Sequence, residues 1–201
     1  MATVLILLVR LVEEIGPERE PGDRFRVIRI LDGDTMELLG GDRLRLLAVD
    51  APEAGEPLYK EAIQLLESLA LGKTVGIEYS GRRRDRYGRL LGFAYVDSLY
   101  INKELIEEGL GYIYLFRDTR LASVHVKDLL AAQRRAIEAR RGLWALERIP
   151  ESHYVARSGS FRLHRPGCRS VQNLVETEYR RFTTREEGLA TGLSPCRNCK
   201  P

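Results

Sequence analysis

Between Arg24 and Val49 the chain runs through three short stretches separated by residues that reverse a backbone. Arg24 to Leu31 alternates apolar and basic residues, the period of a half-buried strand. Asp32-Gly33-Asp34 and Gly40-Gly41 supply turn chemistry on either side of Thr35 to Leu39, and Arg43 to Val49 continues the meander. Pro52 and Pro57 then flank a loop. From Leu58 the pattern changes: Leu58, Ala62, Leu65, Leu66 and Leu69 follow helical spacing, with Gly72 as the stop. Thr74 to Tyr79 and Leu90 to Val96 give a further strand pair, joined by the basic loop Gly81 to Arg89. Asn102 is the expected cap of a short helix ending at Gly109. Thr119 is the expected cap of a longer one through Arg141, whose face includes Val126, Leu130, Gln133 and Ile137 and after which Trp144 folds back onto the core. Five strands, with a helix inserted after the third and two more at the end, describe an α+β unit: a small barrel capped by helices.

At 201 residues and 44% hydrophobic content, the chain can bury one ordinary core and still have roughly fifty residues left for a small accessory module. The stretch 149–159, around Pro150 and Ser158-Gly159-Ser160, reads as a linker. The expected organisation is an N-terminal extension over 1–22, the barrel over 23–148, and a small domain over 160–201. The apolar run near the start is broken by Arg10, Glu13 and Glu14 and lacks preceding basic residues. It therefore reads as an extra strand or helix rather than a signal peptide, and it is shorter than the roughly twenty residues a membrane span needs.

The formal charge of +3 is a small remainder of 32 basic and 29 acidic residues, so its distribution says more than its sum. Residues 157–201 hold nine Arg or Lys against four Glu, net +5, which leaves the rest of the chain at −2. A basic tail suits nucleic acid.

Five charged residues carry the chemistry: Asp34, Arg45, Asp50, Glu53 and Arg89. They occur in Asp32-Gly33-Asp34-Thr35, in the run from Arg45 to Glu53, and in Asp85-Arg86-Tyr87-Gly88-Arg89. Two carboxylates for a hard cation, a third to handle a water, and two guanidinium groups for a phosphate are the parts needed to hydrolyse a phosphodiester. With only three histidines, a His-Asn-His nuclease site is not available, and His125 reads as structural.

In order and approximate spacing these motifs, together with Asn102 to Gly109, resemble the staphylococcal-nuclease family from about Phe25 to Trp144. The resemblance implies a five-stranded OB-fold barrel with three helices. It also implies that Asp34, Asp50 and the main-chain carbonyl of Ala51 bind Ca²⁺, where the family often has Thr in place of Ala51. Glu53 would then hold and deprotonate the attacking water, Arg45 and Arg89 would grip the phosphate, and Arg86 and Tyr87 would contact a terminal phosphate of the substrate. DNA is the implied partner, with RNA a second candidate, and 3′-phosphate ends the implied product. Tyr112 and Tyr114 fall near where the family stacks a base, although Leu115 and Arg117 occupy the closest aligned positions.

His164 and Cys168, then Cys196 and Cys199, form two ligand pairs of the soft nitrogen and sulfur type that tetrahedral zinc takes. Three cysteines cannot pair off evenly, which argues against a disulfide scaffold, and a domain this small needs a staple. The surrounding sequence resembles the Ada-type metal-binding domain. There a cysteine ligand accepts a methyl group from DNA; His164 stands at the corresponding first ligand here, so the resemblance implies structural Zn²⁺ without that transfer. The module's basic face either holds DNA or docks on the barrel or on another protein. The expected protein is a monomeric nuclease off the membrane. A non-catalytic binding barrel and a DNA-repair accessory are the competing readings. Metal-bound thiols favour the cytoplasm, while a Ca²⁺ requirement keeps secretion open.

Overall fold

The computed structural model describes residues 23–116 and 123–201; the N-terminal extension, Arg117 and the Thr119 cap lie outside them. The meander forms as its turns dictate. β1 (Asp23–Asp32), β2 (Thr35–Leu38) and β3 (Arg43–Leu46) pair antiparallel in sequence, and a two-residue β4 (Val49–Asp50) follows. The alternation in β1 slips where Val27 is buried and Ile28 faces out, and the pairing to β2 is irregular at that point. A bulge of this kind bends a strand towards closure. Helix α1 (Tyr59–Ala70) buries Ala62, Leu66 and Ala70, one stripe four residues apart, and ends before Gly72, whose φ of 75° suits glycine.

β5 (Thr74–Glu78) pairs with β1, and β6 (Leu90–Val96) pairs with β5. A parallel pairing of β6 with β3, with Arg45 opposite Leu91, closes the five strands into a barrel. β7 (Leu99–Tyr100) extends β6 as a hairpin and leads into α2 (Ile101–Glu107); β8 (Tyr112–Ile113) pairs with β4; α3 (Val124–Glu138) completes the cap. The resulting α+β architecture is the OB-type barrel with three helices that the sequence implies.

Two helix boundaries differ from expectation. Asn102 is the second residue of α2, not its cap: its Oδ1 accepts the Ala94 N–H at 2.9 Å and its Nδ2 donates to the Leu47 carbonyl at 2.8 Å. A fully buried amide that closes two main-chain groups of neighbouring segments is more useful there than at a solvent-facing helix end. α3 starts at Val124, where the Ser123 hydroxyl accepts from Val126 N–H, and stops at Glu138, three residues before the expected end. Trp144 does fold back, burying itself edge-on against Tyr112 at 5.3 Å.

The stretch expected as a linker contains β9 (Tyr154–Arg157), which pairs antiparallel with β11 (Tyr179–Phe182). β10 (Arg162–Leu163) pairs parallel with β12 (Ser194–Pro195), and α4 (Arg185–Leu189) packs on this small layer. The module does not hang free. Ala136 and Trp144 of the barrel unit share one buried cluster with Tyr154, Ala156, Leu163, Phe182, Leu189 and Leu193. Polar ties reinforce it: Arg162 donates to the Leu115 carbonyl at 3.1 Å, and the buried Arg185 donates to the Tyr112 hydroxyl at 2.7 Å. No helix among the described residues is long and apolar enough to cross a membrane.

Candidate active site

The Asp32-Gly33-Asp34 turn sits where β1 reverses into β2. A Cβ on Gly33 would lie 2.7 Å from the Cβ atoms of both Ala51 and Ala62, so only glycine lets this turn press against the end of β4 and the first turns of α1. That close approach brings Asp34 to Asp50 and Ala51. Asp34 Oδ2 accepts the Ala51 N–H at 3.0 Å, and Thr35 Oγ1 donates to Oδ1 at 3.0 Å. Arg45, projecting from β3, bridges the two acids: Nη1 lies 2.7 Å from Asp34 Oδ2 and Nη2 lies 3.5 Å from Asp50 Oδ1. The same Nη1 donates to the Val49 carbonyl at 2.7 Å, which fixes the guanidinium plane. Burial pushes the Asp34 carboxyl up to about 7; Arg45 opposes that shift and Asp32 adds to it.

Glu53 follows on the loop after β4. Its carboxylate is exposed, and its N–H donates to Glu56 Oε2 at 2.9 Å in a turn that holds the loop. Across the cleft, Asp85 organises the hairpin before β6. It accepts the Tyr87 and Arg89 N–H groups and binds the Arg89 side chain at 2.8 Å. Arg89 and the other hydrogen-bond donors outweigh partial burial and hold the Asp85 carboxyl below the usual carboxylate range. Arg86 lies 4.8 Å from the centre of the Tyr87 ring and donates to its hydroxyl, with Tyr87 largely exposed. Arg83 and Arg84 of the same basic run are committed to ion pairs with Asp23 and Asp42, leaving Arg82 on the cleft wall.

Asp34, Arg45, Glu53, Arg86, Tyr87 and Arg89 thus line one cleft of about 670 Å³. Asp50 and Ala51 line an adjoining cavity of about 700 Å³, and Glu53 and Arg197 border both. Tyr114 and Phe116, edge-on to each other at 5.1 Å, also face the first cleft, whereas Leu115 is buried and Tyr112 turns to the module. His125 is structural, stacked on Phe93 at 4.1 Å with Nε2 2.7 Å from Glu78. Arg197 is the residue that no motif indicated; its guanidinium lies 2.7 Å from Asp50 Oδ1.

In the module, the ligand atoms of His164, Cys168, Cys196 and Cys199 all lie within 4.8 Å of one another. His164 Nδ1 is buried with no hydrogen-bond partner among the described residues. Burial, helped by Arg162, holds the imidazole below its ordinary pKa and so in its neutral, ligating form. Burial pushes the Cys199 thiol up to about 12, against the Arg165 N–H that donates to its sulfur at 3.4 Å, because the neighbouring sulfurs of Cys168 and Cys196 add to it. Three crowded sulfurs and an orphaned imidazole nitrogen fit a tetrahedral soft cation.

Residues 43–146 match the family described as staphylococcal nuclease homologue. The chain is 36% identical over 124 residues to an uncharacterised endonuclease of Escherichia coli O157:H7, covering 60% of this chain and 76% of that protein. It is 27% identical over 161 residues to a thermonuclease of Staphylococcus hyicus, covering 72% and 93% respectively. It is also 31% identical over 134 residues to a micrococcal nuclease of Shigella flexneri, covering 61% and 74%. With half of its length matched and the motif residues gathered around two adjoining cavities, the chain belongs to the staphylococcal nuclease family.

Proposed function

We propose that the protein is a Ca²⁺-dependent phosphodiesterase that hydrolyses DNA, with RNA a second candidate substrate, and leaves 3′-phosphate ends. The observation that carries this reading is Arg45 bridging Asp34 and Asp50 at the edge of a cleft that Glu53 and Arg89 also line. Asp34, Asp50 and the Ala51 carbonyl form an all-oxygen donor set, which suits a hard cation. When bound there, Ca²⁺ supplies neutralising charge and makes a water more acidic.

The residues of the chain do the rest. Glu53, exposed and free to meet solvent, holds the attacking water and takes its proton. Arg45, fixed by main-chain carbonyls, and Arg89, fixed by Asp85, present planar forks to the phosphate as charge builds on its oxygens. Arg86 and Tyr87 hold a terminal phosphate.

The C-terminal module is an Ada-like structural zinc domain in this reading, with His164, Cys168, Cys196 and Cys199 as ligands. His164 in the first ligand position leaves no thiolate there to accept a methyl group. The barrel over 23–148 and the small domain, which takes in β9 (Tyr154–Arg157), act as one monomer, and reduced thiols held by zinc favour the cytoplasm.

The test is cleavage of end-labelled single-stranded and duplex DNA, with added Ca²⁺ or with a chelator that spares zinc. The expected result is cutting that requires Ca²⁺ and falls by about a hundredfold or more in Glu53→Gln. Cleavage indifferent to both would sink the mechanism. DNA binding without cleavage by either protein would make the barrel a binding module.

A further inference from the structure

Asp50 is met by two guanidinium groups, one five residues before it and one 147 residues after it. Arg45 of β3 reaches Oδ1 at 3.5 Å, and Arg197 reaches the same oxygen at 2.7 Å. Arg197 lies between two members of the C-terminal ligand cluster, Cys196 and Cys199, and outside the residues matched by the family. Its guanidinium is 5.3 Å from the centre of the Tyr114 ring, and it lines the cleft with Arg45, Glu53 and Arg89. Lys200, three residues on, pairs with Glu56 at 2.6 Å. The turn from Cys196 to Lys200 is therefore fastened at two points to the segment that carries Glu53.

Building on the nuclease reading above, we propose that Arg197 is a third phosphate-binding guanidinium of the nuclease site, delivered by the metal-ligand turn of the C-terminal module. A guanidinium has five donors, and among the described residues Arg197 donates through one nitrogen, Nη2, to Asp50. The side chain is 60% exposed, so that ion pair is screened and the group can exchange a carboxylate oxygen for a phosphate oxygen. Arginine stays charged at any working pH, and its fork matches two phosphate oxygens at once. The ligand is the phosphate backbone of a nucleic-acid strand lying in the cleft that Arg45 and Arg89 also line. Because the position of Arg197 is set by the flanking cysteines, the His/Cys cluster and the nuclease cleft form one functional unit. The small module completes the substrate site of the barrel on which it docks.

Substrate binding with cleavage disabled tests this directly. Full-length protein carrying Glu53→Gln is titrated, with Ca²⁺ present, into a fluorescently labelled single-stranded oligodeoxythymidylate across a series of NaCl concentrations. Three further changes are compared in that background: Arg197→Gln, which keeps the stem, Arg197→Lys, and Lys60→Ala, an exposed residue of α1 outside the cleft. Zinc content and thermal melting check that each protein is folded. The expected result is that Arg197→Gln weakens binding about tenfold and lowers the slope of log affinity against log salt by about 0.7, one phosphate contact on a single strand. Arg197→Lys keeps the slope, and Lys60→Ala changes neither quantity. An unchanged slope in Arg197→Gln, tighter binding, or an equal loss in Lys60→Ala would each overturn the proposal. The nuclease reading fails separately: protein with Glu53 intact would leave the oligonucleotide uncut in Ca²⁺ while the Arg197 effect on binding persisted.

Discussion

Gln133 donates its Nε2–H to the Leu189 carbonyl at 2.6 Å, so a fully buried side chain of α3 is hydrogen-bonded to the main chain of the C-terminal module. Its Oε1 accepts the Ile113 N–H at 2.9 Å, which ties β8 into the same junction. Gln133→Ala strands two buried main-chain groups and opens a cavity, and is expected to lower unfolding free energy by about 2–4 kcal/mol in urea titrations. A loss below about 0.5 kcal/mol would mean that water replaces both partners.

Gly33→Ala tests the close approach that joins Asp34 to Ala51. The added methyl meets two Cβ atoms at 2.7 Å, and neither belongs to a flexible side chain that can swing away. Overpacking of this kind typically costs about 1–3 kcal/mol. The shift also separates Asp34 from Ala51, so Ca²⁺ affinity measured by calorimetry should drop together with the melting temperature.

Asp34 links stability to pH. Its carboxyl is held at about 7 in the folded protein, against 3.8 ordinarily. Between those values the folded form keeps a proton that the unfolded chain has lost. The stability this group contributes is therefore full below about pH 4 and is lost as pH rises through about 7. Relative to Asp34→Asn, the wild-type unfolding free energy should fall by up to about 1.4 kcal/mol per pH unit across that window and level off above it. Urea titrations at several pH values, with a chelator that takes Ca²⁺ and spares zinc, measure the difference. A flat difference would show that Arg45 keeps Asp34 ionised throughout.

Asp85 acts through Arg89. It holds that side chain by a bond of 2.8 Å and caps the hairpin through two N–H groups. Asp85→Asn leaves a neutral acceptor, and the loosened Arg89 is expected to lower kcat by about tenfold with little change in KM. A rise in KM alone would assign Arg89 to ground-state binding.

The barrel was legible because its signals are local. Period-two alternation, the Asp32-Gly33-Asp34 turn and the Gly72 stop lie within a few residues of the elements they define. The bulge in β1 was missed, since Arg24 to Leu31 reads as one alternating run although Val27 and Ile28 are adjacent apolar residues at the slip. The acids and arginines of the cleft were legible because they sit in short motifs. Asn102 misled because its side chain serves Ala94 and Leu47, a tertiary role with no local mark. Arg197 was invisible for the same reason: it meets Asp50 across 147 residues, and within its own segment it reads as one more arginine in a basic tail.

The parallel pairing of β3 with β6 has a kinetic consequence. Leu44 must find Leu90, and Arg45 must find Leu91, after a helix and two strands have intervened. Contacts so distant along the chain carry a large loop-closure entropy and form slowly compared with the hairpins. Arg45 belongs to this seam, and Arg89 immediately precedes its other strand. On refolding, recovery of catalysis should therefore lag the return of far-ultraviolet dichroism, so that turnover reports the closed barrel while partly assembled forms stay silent.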